Sequence, residues 1–144
     1  MLARPEMNRL DEQDHKTLVL SAADCAEHVL PFFELTHPND DRPRKALEAG
    51  CGWVDGLIPM SAARAAAYVS HAAARDSNSA TARAAARAAG HAAATAHVAS
   101  HALHAATVAV TASGATTECT WQIRRVPKHL QAIAFQTIRN DRKG

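Results

Sequence analysis

At 144 residues the chain has the length of one domain, enough to bury about two-thirds of the surface its unfolded form would expose. A net charge of +2 and an aromatic content of 4% leave little attraction for nucleic acid and few platforms for stacking bases. Three scattered cysteines, Cys25, Cys51 and Cys119, form no CxxC pair, which excludes a zinc knuckle or redox dithiol and fits free thiols in a reducing cytoplasm.

The first residues, 1–10, carry charges of both signs, have no signal-peptide pattern and are expected to fray. A first helix is expected over residues 11–34, opened by Asp11, Glu12 and Asp14 near the positive end of the helix dipole. Leu18, Ala22, Cys25, Ala26, Val29 and Phe33 recur at three- and four-residue spacing and form its apolar stripe. Pro31 should bend or end it. A second helix begins at Asp40 or Asp41, admits Pro43 in its first turn, carries Ala46, Leu47, Trp53, Val54 and Leu57, and stops at the turn over 56–59.

Ser61 is the expected cap of a third helix over 62–75. Residues 76–79 make a turn and the next cap. From 80 to 111 the helical pattern does not break, and a continuous helix would be roughly 45 Å long, more than a compact domain needs. A bend or break is therefore expected near Gly90 or over 95–100. Further helices are expected over 117–125 and from Pro127, with residues 140–144 frayed. No strand pattern competes. The predicted fold is all-α, a compact bundle or short array of about six helices in a single domain over residues 1–144. No stretch is apolar enough to span a membrane.

Alanine favours helix but buries little area, so an alanine core has to bring backbones close. Leu18, Val29, Phe32, Phe33, Trp53, Leu103, Trp121, Leu130 and Phe135 are the expected fillers of the wider gaps. Codon bias of a GC-rich genome accounts for much of the alanine; an alanine face for a partner is the lesser alternative.

One line of side chains carries candidate chemistry. On a continuous helix, Arg83, Arg87, Gly90, Ala94, His97, His101 and His104 share a face, with His91 around the helix from them. Imidazoles four residues apart can hold a metal ion, which makes His97, His101 and His104 the metal candidates, with His71 or Asp24 as an alternative third ligand. The Glu that zinc peptidases place beside the first His is missing, since Val98 follows His97. Histidines that bond across a helix interface, or face solvent, are the plainer reading, and no cofactor is expected. Asp24 interrupts an apolar run and is either solvated or paired with a cation from another helix. Arg42 and Arg44 belong to a solvated helix start or bridge helices, and Arg124 and Arg125 after Trp121 share that ambiguity.

Four stretches, AADCAEHVLPFFE, DDRPRKALEAGCGWVDG, ARAAARAAGHAAATAHVASHAL and TWQIRRVPKHL, together resemble the bacterial immunity-protein-five-like helical family. The similarity covers residues 16–130, and the Asp-Arg-Pro-Arg-Lys run and the Gly-His-x5-His-x3-His spacing make it specific. It implies an all-α protein that neutralises a toxin of the same or a neighbouring cell. The matching positions are Asp24, Asp41, Arg42, Arg44, Lys45, Trp53, Arg83, Arg87, His91, His97, His101, Trp121 and Arg125; Gln122-Ile123 depart from the pattern. Some members carry an exonuclease label, for which this chain has no Walker motif or acidic metal cluster.

Two functions compete at this point. One is a cytoplasmic, stoichiometric binding protein with a protein toxin as its partner and with Trp53 or Trp121 as anchors. The other is a small helical enzyme or ligand-binding domain of specialised metabolism. In it Arg83 and Arg87 hold a small anion, His97 and His101 do acid–base or metal work, and all converge with Asp24 or Arg42. Homo-oligomers fit either.

Overall fold

The computed structural model describes residues 11–98 together with 105, 108 and 109. Among these the chain is helical with no strand, in four helices: α1 (Glu12–Thr36), α2 (Arg42–Val54), α3 (Met60–Arg75) and α4 (Ala80–Ala94). That is fewer than the six expected, and the two expected after residue 116 lie outside the described residues.

Asp11 opens α1, its carboxylate accepting the Asp14 N–H at 2.7 Å, and Glu12 and Asp14 fill the acidic first turn. The expected stripe is buried: Leu18, Ala22, Cys25, Ala26, Val29 and Phe33 lie at 2% exposure or less, joined by Val19 and Leu30. Pro31 does not end the helix, which runs five residues further, to Thr36. Pro31 and Glu27 are both exposed, so water can take up the carbonyl that loses its donor, while buried Leu30 and Phe33 hold the last turn in place. Phe32 is not a core residue as expected; it is 41% exposed, one step around the helix from Phe33.

His37 closes α1 by donating its backbone N–H to the Phe33 carbonyl, and its ring pairs with the buried Ser77 hydroxyl at 2.8 Å. α2 enters with Pro43 in its first turn, as expected, and is followed by Gly56 in the left-handed region at φ 74°, which lets the chain reverse. Ser61 is not the cap of α3. Pro59 takes the cap position with extended backbone and its carbonyl accepts from Ala62 and Ala63, so the helix starts two residues earlier. Ser79 caps α4 as expected, accepting the Ala82 N–H at 3.2 Å.

α4 packs against all three other helices. A helix so enclosed has room for few side chains beyond methyl groups, and Ala82, Ala84, Ala85, Ala86, Ala88, Ala89, Ala92 and Ala93 are all buried. The buried Ser70 hydroxyl of α3 donates to the Ala86 carbonyl at 2.7 Å, a contact that only small residues permit. Alanine here is a packing requirement rather than a partner surface.

The expected break comes after Ala94. Ala96 and His97 donate to carbonyls three residues back, which tightens the helix into a turn, and buried Thr95 donates its hydroxyl to the His91 carbonyl. His15 of α1 bonds the Thr95 carbonyl through Nε2, its ring 4.9 Å from that of Trp53. Residues 105, 108 and 109 are helical again.

Candidate functional site

The two halves of the bundle treat charge differently. On α2 the arginines are neutralised within the chain. Arg42 donates to both carboxylate oxygens of Asp40, at 2.9 and 2.7 Å, and to Asp76 at the end of α3 at 3.1 Å. Arg44 reaches α1, with Glu27 at 2.6 Å and Glu34 at 2.8 and 3.1 Å. The Arg42 guanidinium holds the Asp40 carboxyl below its usual range by direct hydrogen bonding. Both arginines thus bridge helices, and their charges are spent on the fold.

On α3 and α4 the pattern reverses. Between Asp55 and Glu118 the sole acid in the sequence is Asp76, so neither helix carries one. Arg64, Tyr68, His71 and Arg75 fall at helical spacing along α3, and Arg83, Arg87 and His91 along α4. Among the described residues Arg64, Arg75, Arg83 and Arg87 are exposed and make no ion pair. The result is a cationic, acid-free seam along two packed helices.

The middle of the seam is built on Gly90. A Cβ there would lie 2.7 to 3.0 Å from three atoms of the His71 ring, so the imidazole occupies the space that any other residue would fill. The His71 and His91 rings meet edge to face with centroids 4.9 Å apart. Partial burial pushes the His71 pKa down, and Arg87 and Arg75 push the same way.

This direction sets a pH dependence. Below about pH 6.5 the unfolded chain protonates His71 before the folded chain does. Stability should therefore fall as pH drops through that value. Melting temperatures between pH 8 and pH 5 are expected to decline less steeply for His71→Asn than for wild type, and parallel declines would remove His71 as a cause.

Beside His71 a cavity of about 200 Å³ opens between α3 and α4, lined among the described residues by Arg64, Ala67, Tyr68, His71, Ala94 and His97. Arg64 donates through Nε and Nη2 to the Tyr68 hydroxyl at 3.2 and 3.1 Å and lies over the ring, 5.5 Å from its centre. Arg83 and Arg87 line a different hollow of about 340 Å³, with Ala80, Ala84 and Val108. Asp24 is exposed, in a third hollow with Glu27, Arg44, Glu48 and Cys51. Burial raises the Cys51 thiol pKa, as do Asp55, Asp24 and Glu27, so it is poorly nucleophilic.

The convergence of Arg83, Arg87 and His97 with Asp24 or Arg42 is therefore not formed. The helix break after Ala94 removes His97 from the straight stripe, and the α1–α2 side holds the other two groups. Trp53 is half-buried in a small cluster with Val54 and Ile58. Among the described residues no three His, Cys, Asp or Glu side chains gather as a metal site needs. His101, His104, Trp121 and Arg125 lie outside those residues. Arg64 and Tyr68 were not singled out by sequence reasoning, although their spacing with His71 and the missing acids carried the signal.

The family described as "Imm-5 like putative immunity protein" matches residues 8–129, most of the chain. The chain belongs to this immunity family. No curated protein and no solved structure matches it. Nor does any helix among the described residues have the length and apolarity to cross a membrane. In this member of the immunity family, Arg64, Arg75, Arg83 and Arg87 of the α3–α4 seam make no ion pair among the described residues, whereas Lys16, Arg42, Arg44 and Lys45 each do.

Proposed function

We propose that the chain is a cytoplasmic binding protein that neutralises a cognate bacterial toxin by covering part of its surface, one immunity protein to one toxin, without turnover. The observation that carries this reading is the acid-free seam of α3 and α4, with four exposed arginines beside an exposed tyrosine. Arg and Tyr are the side chains that concentrate binding energy at protein interfaces, and here they stand on rigid helices rather than loops. Complementarity then calls for an acidic patch on the toxin, which steers the encounter as well as holding it.

The test is co-expression with candidate bacterial toxins, followed by light scattering and calorimetry of the purified pair. Growth rescue, a one-to-one complex and about tenfold or greater weakening by Arg83→Glu with Arg87→Glu are expected, the weakening easing as salt rises. Rescue with no detectable complex would sink the stoichiometric reading.

Neutralisation of this kind uses no cofactor. After chelation, added Zn²⁺ or Ni²⁺ should leave the melting temperature unchanged. A metal at a hundredfold over its Kd would add roughly 2.7 kcal/mol and several degrees. A shift of that size, abolished by His97→Ala and His101→Ala, would replace this reading with a metal-binding one.

A further inference from the structure

We infer that the cavity between α3 and α4 is a socket for one carboxylate side chain, Asp or Glu, presented by the protein partner. The inference rests on the binding reading above and adds what the seam recognises.

The first argument is the missing counter-ion. Arg42 and Arg44 each hold two carboxylates of their own chain, whereas Arg64 has a tyrosine hydroxyl and no acid. The second is preorganisation. Two guanidinium N–H groups are fixed on the Tyr68 oxygen, which leaves three others for a planar, bidentate acceptor. Tyr68 is thus a positioning residue for Arg64.

The third argument is the match of size and charge. About 200 Å³ accommodates a carboxylate and its methylenes, and Ala67 and Ala94 supply methyl groups against which methylenes can pack. Arg64 contributes the one permanent charge in the lining, and His71 is neutral at pH 7, its burial opposing protonation. A singly charged carboxylate balances that better than a phosphate dianion.

The last argument concerns the carrier. Tyr68 is 60% exposed at the cavity, and Arg75, Arg83 and Arg87 continue the cationic seam beyond it. A free small acid would leave all of these uncovered. A carboxylate on a protein surface covers them while it fills the socket.

Two measurements test this. In the first, the isolated protein is titrated with blocked glutamate, blocked glutamine and inorganic phosphate while the His71 and His97 imidazole NMR signals are followed. Saturable shifts with glutamate, none with glutamine, and at least about tenfold weaker binding by Arg64→Ala are expected. Equal shifts with glutamine, no shift with glutamate, or tighter binding of phosphate would overturn the socket as assigned. In the second, the toxin complex is measured with Arg64→Ala and Arg64→Lys. Loss of at least tenfold in Kd with Ala and partial recovery with Lys supports the socket, and unchanged affinity overturns it while leaving the toxin-binding reading intact. Glutamate binding by a protein that forms no toxin complex would instead remove the protein partner and, with it, the assignment made here. Arg64 is exposed, so neither variant threatens the fold.

Discussion

Phe33→Ala is expected to cost about 3–5 kcal/mol, out of the roughly 5–15 kcal/mol that holds a domain of this kind folded, and to lower the melting temperature by roughly 10 °C. Phe33 is fully buried and heads the largest enclosed side chains of the described residues. The penalty for such a deletion depends on how far neighbours move into the space left. The core cluster to which Phe33 belongs is largely alanine. Methyl groups have no rotamers with which to fill a hole, so the cavity should persist and the loss should fall toward the upper end of that range. Phe32→Ala is the control. At 41% exposure it should cost no more than about 1 kcal/mol. Urea and thermal unfolding of the two variants checks this, and equal losses would show that the α1 register assigned here is wrong.

Gly90→Ala is expected to destabilise the fold by roughly 1 kcal/mol, against the direction that helix propensity dictates. In an open helix interior the change should gain about 1 kcal/mol. At Gly90 the new Cβ would lie 2.7 Å from Cε1, 2.9 Å from Nε2 and 3.0 Å from Nδ1 of His71, and overpacking of this kind costs about 1–3 kcal/mol. The ring must leave its seat, and because His71 lines the α3–α4 cavity, the toxin binding proposed above should weaken with it. The sign should reverse once the ring is gone: with His71→Ala already present, adding Gly90→Ala should stabilise by up to about 1 kcal/mol. Gly50 sets the scale, since a Cβ there meets Val19 and Ala93 at an ordinary 3.6 Å and Gly50→Ala should be tolerated. If Gly90→Ala stabilised both backgrounds alike, the seating of His71 on Gly90 would be refuted.

The site was only partly legible. The sequence places Arg83, Arg87 and His97 on one line of arginines and histidines only if the helix is unbroken. The turn after Ala94 ends it, and its place is taken by a seam shared with α3. Arg42 and Arg44 were visible as charges able to bridge helices, and bridging is what they do. Asp24 was open between solvation and pairing; it is exposed and makes no ion pair among the described residues. Of the two outcomes expected at Pro31, ending the helix does not occur, because local backbone chemistry weighs less than the burial of Leu30 and Phe33 on either side of it.

What the sequence determined by itself is what neighbours within a turn or two decide. The all-helical class, the Asp11 and Ser79 caps, the Pro43 entry to α2 and the break after Ala94 depend on periodicity, on hydrogen bonds over three or four residues and on helix length. What only the tertiary structure decided depends on which faces meet. One residue turns a helix by about 100°, enough to exchange Phe32 for Phe33 in the core. Which arginines find a carboxylate, and whether an imidazole can rest on a glycine 19 positions away (His71 on Gly90), follow from how α3 lies against α4. Such contacts are set by helix rotation and by the close approach that alanine allows, and no local pattern in the chain encodes them.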